Sequence, residues 1–212
     1  MESKKVEWQL VILVCSIIII MIMGVRQSLG LFLEPITNFM NSGKEFFSFA
    51  IGVQAIIWGL VTFFLGILID KFGPQKVLAF GIISFASGIF LMSNPTSEFT
   101  LFSATTLMGF GLGGAGMATM VSIAGKVAPV NKRSLAMGLV AAAASFGQFA
   151  VVLPTMWMNK AFGWETSLIV LASVVIGLLI FLPLLNSTNN KSNSAQDFGN
   201  SLQQTIMFSL RE

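Results

Sequence analysis

Six runs of apolar residues, separated by short polar connections, leave this chain few ways to fold. They occupy residues 8–33, 46–69, 77–92, 99–123, 135–158 and 164–185. A helix needs about 20 mostly apolar residues to cross a bilayer, and on that rule each run is a span. Of the 212 residues, 55% are hydrophobic and only 10% charged, against about 25% charged in a soluble domain. The expected fold class is all-α and integral to the membrane, with six transmembrane helices. The expected connections are "EPITNFMNSGKE", "DKFGPQK", "SNPTSE", "AGKVAPVNKRS" and "NKAFG". Beyond Leu185 the sequence turns to "NSTNNKSNSAQDFGNS", a polar tract with no core-forming content. The domain reading is a six-span unit over 1–185 and a cytoplasmic linker over 186–212.

Composition also excludes several kinds of chemistry. The chain has no histidine and a single cysteine, Cys15. That rules out an imidazole-based triad, a Cys/His zinc site and an internal disulfide. No nucleophile–base set or metal cluster is present, so neither an enzyme nor a cofactor or metal is expected. The net charge of +3 is small and dispersed, which argues against a nucleic-acid partner. The first run exceeds the roughly 7–15 apolar residues of a cleavable signal and reads as a retained span.

Orientation follows from the basic residues. With the N-terminus inside, Lys4, Lys5, Lys71, Lys76, Lys126, Lys132, Arg133, Lys191 and Arg211 are cytoplasmic, and only Lys44 and Lys160 are external. Both termini are therefore expected in the cytoplasm. Trp8 falls at the inner interface and Trp157 and Trp164 at the outer one, as an aromatic belt requires; Trp58 falls mid-span.

Polar residues inside the spans are the candidates for function. Arg26 lies roughly 8 Å outward of the centre of its run at ~1.5 Å per residue. Two readings stand open for it: snorkelling to the outer interface, or facing a wet cavity where a guanidinium offers paired donors to an anion. Gln27, Gln54 and Gln148 are read at similar depth, with Trp58 one turn from Gln54. They serve either ligand contact or bonds between helices. "GFGLGG", residues 109–114, has dinucleotide-loop spacing, but no strand precedes it and no acid follows about 20 residues on. It reads as close helix packing through Gly109 and Gly113, as do Ala143 and Gly147 in the fifth span. Acids deep in the membrane are absent, so a proton carrier is not expected in this segment.

The second span ends in "GILIDKFGPQKVL". Gly66 and Asp70 share a helix face, Gly73 and Pro74 make a tight turn, and Lys71 and Lys76 flank it. Gly66, Leu68, Asp70, Lys71 and Gly73 together resemble the signature loop of the major facilitator superfamily, where two basic residues usually follow the second glycine. Here Pro74 and Gln75 stand in those places. "VRQSLGLFLEPI", "FSFAIGVQAIIWGL", "MGFGLGGAG" and "KRSLAMGLVAAAASFGQF" resemble members near the monocarboxylate and oxalate/formate transporters.

The resemblance covers residues 8–185. It implies the N-terminal half of a twelve-span carrier, built as two inverted three-helix repeats, with the substrate site between halves near the midplane. It also implies that spans 1, 2, 4 and 5 line the cavity, and that "SLQQTIMFSLRE" leads toward a seventh span beyond this chain. In that subgroup a lysine of the first span binds substrate. Matching "SLGLF" places it at Gln27, ~100° around the helix from Arg26. The expectation is a secondary or facilitative transporter half in a cytoplasmic membrane, moving a small organic anion such as a monocarboxylate. Arg26, Gln27, Gln54, Trp58 and Gln148 are the substrate residues. Gly66, Asp70, Lys71, Gly73, Lys76 and Arg133 form a gating loop, with Arg133 either pairing with Asp70 or a partner half or only signalling topology. The expected partners are the bilayer and a C-terminal six-span half or a second copy. The alternative is a non-transporting subunit or inactive fragment packed against a partner bundle.

Overall fold

The computed structural model describes residues 3–185, with the side chains of residues 8–185 other than that of Asp70. The expected linker over 186–212 lies outside the described residues. Helices α1 (Ser3–Ser28) and α2 (Leu33–Met40), joined by a 3₁₀ turn at Leu29–Phe32, make the first span. Helix α3 (Lys44–Phe72) is the second and α4 (Pro74–Met92) the third. The fourth is α5 (Glu98–Ala115) with α6 (Met117–Val127). The fifth is α7 (Arg133–Ala150) with α8 (Val152–Phe162), and the sixth is α9 (Trp164–Gly177) extended by the 3₁₀ stretch Leu178–Leu185. Among the described residues these six segments are long and apolar enough to cross a membrane, and no strand occurs.

The connections are shorter than the sequence suggests. "EPITNFM" is helical, because Pro35 falls in the first turn of α2, where a missing N–H is harmless. Thr37 then returns its hydroxyl to the Leu33 carbonyl at 2.8 Å. Asn41, left-handed at φ 50°, ends the helix. Likewise "NKAF" continues α8 to Phe162.

Each interruption has a local cause. Pro154 cannot bond the Ala150 carbonyl, and α7 stops at Ala150. Pro35 likewise leaves the Leu31 carbonyl free, and Asn159 of α8 donates its Nδ2 to it at 3.4 Å. In the fourth span Gly116 is extended (φ −84°, ψ −167°), and the Thr119 hydroxyl donates across the break to Gly113 O at 3.3 Å.

Two inverted repeats are visible in the packing. Exchanging spans 1 with 4, 2 with 5 and 3 with 6 maps the α1–α7 contact onto α5–α3 and leaves the α4–α9 contact in place. The connections match too: Phe72-Gly73 and Phe162-Gly163 both end a helix at positive φ, 85° and 83°, a conformation that favours glycine. Each of these glycines donates its N–H to the carbonyl four residues back, Ile69 and Asn159.

One buried cluster draws on α1, α4 and α5, with Ile18, Ile22, Ile82, Phe85 and Met108 all fully buried. Glycines set the helix separations. A Cβ on Gly109 would stand 2.9 Å from the Gln54 carbonyl, on Gly113 2.7 Å from Val61, and on Gly111 2.5 Å from Phe85. The "GFGLGG" run is thus a two-sided packing seam, Gly109 and Gly113 toward α3 and Gly111 toward α4. By contrast, only 11% of the second span's apolar window is buried, against 67% of the fourth's. Gly52, Gly59 and Gly66 on α3 face open space.

Candidate functional site

The α1–α2 and α3 segments are antiparallel neighbours joined by the short turn after Met40, so residues equally far from that turn lie at one level. Between them runs a cleft of about 370 Å³. Counted away from the turn, each wall has its own layers: Leu33, then Gly30 and Leu29, then Gln27 and Arg26 on the first span, and Phe47 and Ser48, then Ile51, then Gln54 at the deep end of the second. Ser28, whose hydroxyl bonds back to Gly24 O at 2.9 Å, and the 3₁₀ turn that follows it lie between Arg26 and Leu33 on the first-span wall.

Arg26 is half-buried, and its guanidinium carbon lies 4.8 Å from the centre of the Trp58 ring. Trp58 is one turn farther from the Met40 turn than Gln54. Counted from Met40 and from Lys44, Arg26 and Trp58 are equally far from that turn, so the contact is made at the level of Arg26 itself. A desolvated cation–π contact is worth about 2 kcal/mol, which offsets much of the roughly 2.5–3.5 kcal/mol that insertion scales assign to a mid-membrane arginine. Arg26 Nε is buried with no partner among the described residues.

Gln54 is 1% exposed, and its Nε2 also has no partner. A buried unsatisfied donor costs about 1–3 kcal/mol, and two of them line this one cleft. Gln27 is exposed and lines the same cleft, ~100° around α1 from Arg26. Gln148 stands apart. Gly147 packs on the Ile20 backbone and Gly24 on Val151, which sets Gln148 level with Met21, five residues or about 7 Å from Arg26 along α1. It is exposed on α7 and outside this cleft's lining. The structure thus brings Arg26, Gln27, Gln54 and Trp58 together and leaves Gln148 on a separate face. Phe47, Ser48 and Ile51 are lining residues that the sequence reading missed; their seven-, six- and three-residue spacing from Gln54 was the available signal.

At the other end of α3, Gly73 turns the chain and Pro74 opens α4. Gly66 faces open space. Lys71 is exposed with its ammonium 5.3 Å from the Phe72 ring, and Lys76 and Arg133 are exposed. The Asp70 side chain, and with it the expected Asp70–Arg133 pair, lies outside the described residues. Gln75, at a place the family usually gives to a basic residue, donates its Nε2 to Leu182 O at 3.0 Å, tying the turn to the end of the sixth span. Gln75→Leu should leave the fold intact and loosen that tie by about 1 kcal/mol, read as faster amide exchange over residues 71–76.

Among the described residues no cluster of His, Cys, Asp or Glu is arranged to hold a metal.

The chain is 26% identical over 189 residues to the uncharacterized MFS-type transporter YcxA of Bacillus subtilis, covering 84% of this chain and 45% of that protein. It is 29% identical over 127 residues to the agnestins efflux protein AgnL12 of Paecilomyces divaricatus (58% and 27%). It is 31% identical over 152 residues to the vesicular acetylcholine transporter of Drosophila melanogaster (68% and 26%). It thus spans less than half the length of each. The sequence profile of the Major Facilitator Superfamily matches residues 13–211. With six membrane-spanning segments arranged as two inverted repeats, this chain belongs to the major facilitator superfamily.

Proposed function

We propose that this chain is the N-terminal half of a secondary or facilitative carrier for a small organic anion, near the monocarboxylate and oxalate/formate groups of the superfamily. The supporting observation is the pair of buried, unpartnered donors, Arg26 Nε and Gln54 Nε2, at the deep end of one cleft. A carboxylate supplies the acceptors both lack, and a guanidinium offers paired donors for a two-point grip. Gln27 extends the polar end. Gln148, exposed on α7 and outside the cleft, takes no part in this grip.

In this reading both termini are cytoplasmic in a cytoplasmic (inner) membrane, and residues 186–212 lead to a seventh span. A C-terminal six-span half or a second copy covers the exposed faces of α3 and α7. Transport proceeds by rocking of the halves about the fixed site. The loop from Gly66 through Asp70, Lys71 and Gly73 to Lys76, with Arg133 across from it, latches the cytoplasmic side.

The open glycines of α3 also suit a second reading, a non-transporting subunit packed against a partner bundle. Proteoliposomes separate the two. Labelled propionate should enter vesicles holding the chain paired with a second half or a second copy, and should not enter vesicles holding only monomers. Uptake by the monomer contradicts the half-site reading, and no uptake by any paired form favours the subunit.

A further inference from the structure

Resting on that anion reading, we infer that the cleft between the first two spans takes an amphipathic carboxylate, with its head at Arg26 and Gln54 and an apolar body lying along Leu29, Leu33, Phe47 and Ile51. The layers of the cleft carry this. Its polar groups are concentrated at the deep end, and the seven residues from Arg26 to Leu33 and from Gln54 to Phe47 form walls that are mainly apolar for about 10 Å. Both spans run toward the same turn, so head and body have a fixed direction: the carboxylate is deep and the tail points to the Met40 end. A two- or three-carbon acid satisfies the donors but leaves the walls wet. The volume of about 370 Å³ is within the range of pockets that enclose a ligand with a substantial body. Gly30 in the middle layer has open space around it, which keeps the cleft wide at that level.

The test is a ladder of probes on the 212-residue chain in phosphatidylcholine nanodiscs, with empty discs subtracted: acetate, butanoate, hexanoate and neutral hexanamide. Affinity is expected to rise about fourfold for each methylene that reaches the wall, with hexanamide at background. Ile51→Ser and Leu33→Ser each narrow the hexanoate-to-acetate ratio by several-fold, with protection of Cys15 from a maleimide dye confirming the fold.

Equal affinity for acetate and hexanoate, both lost in Arg26→Leu, overturns the amphipathic assignment and leaves the anion reading standing. Failure of every anion to bind sinks both. Hexanoate binding that persists in Arg26→Leu also sinks both, because the tail then partitions without a recognised head. Displacement of hexanoate by anionic phosphatidylglycerol in the disc identifies a lipid headgroup as the occupant and overturns the proposal.

Discussion

On the proposed anion reading, Arg26→Leu should abolish carboxylate binding in the assembled carrier while leaving the bundle at least as stable as before. The two expectations have separate causes. Charge-assisted hydrogen bonds contribute about 1.5–3 kcal/mol each, so losing a two-point grip weakens binding by roughly 100-fold or more. The bundle, in contrast, gains from the change, because a charge that costs about 2.5–3.5 kcal/mol to place mid-membrane is removed. The loss of the Trp58 contact, 4.8 Å from guanidinium to ring centre, offsets part of that gain. Arg26→Lys keeps the charge but loses the planar fork, and should bind about tenfold more weakly than the wild type. Equilibrium binding of labelled propionate, together with thermal unfolding in the same detergent, reads both quantities. If Arg26→Leu unfolds early and still binds, the arginine serves the bundle and the anion site is elsewhere.

How much of this was legible beforehand depends on the range of the forces involved. The spans were, because burial in lipid demands an apolar run whatever the neighbours are, and the structure places six helices over those runs. The signature turn was legible too, since Gly73 needs a left-handed backbone, φ 85°, that few other residues tolerate. The continuation of the first span to Met40 was missed because "EPITNFM" is polar, and polarity was equated with a loop. The level of Gln148 was missed for a different reason. It depends on how far α7 is shifted along α1, which the Gly147–Ile20 and Gly24–Val151 contacts fix and no periodicity within one helix encodes. The packing of Arg26 is of the same kind. Its contact with Trp58 depends on a ring carried by the neighbouring span, which no pattern within the first span encodes.

Those inter-helix contacts carry the second large prediction. Gly147 lies directly on the Ile20 backbone, so that any Cβ there meets main chain, while Gly24 faces the Gly147 carbonyl and Val151. In lipid no hydrophobic force between helices makes up for lost contact, so α1 and α7 must separate to admit a side chain. Gly147→Ala should cost about 1–3 kcal/mol, the usual range for overpacking, and Gly147→Leu should prevent the first and fifth spans from assembling. Gly138, on the same helix but with open space about it, is the internal control. Gly138→Ala meets nothing and removes a backbone-entropy cost, so it should be neutral or stabilising by up to about 1 kcal/mol. The chain carries its own reporter, because its single cysteine, Cys15, is fully buried on α1. A fluorogenic maleimide should label it at a lower temperature in Gly147→Ala than in wild type, at once in Gly147→Leu, and no earlier in Gly138→Ala. Equal labelling curves for the two alanine variants would mean that helix propensity, and not the α1–α7 seam, sets the stability of this half.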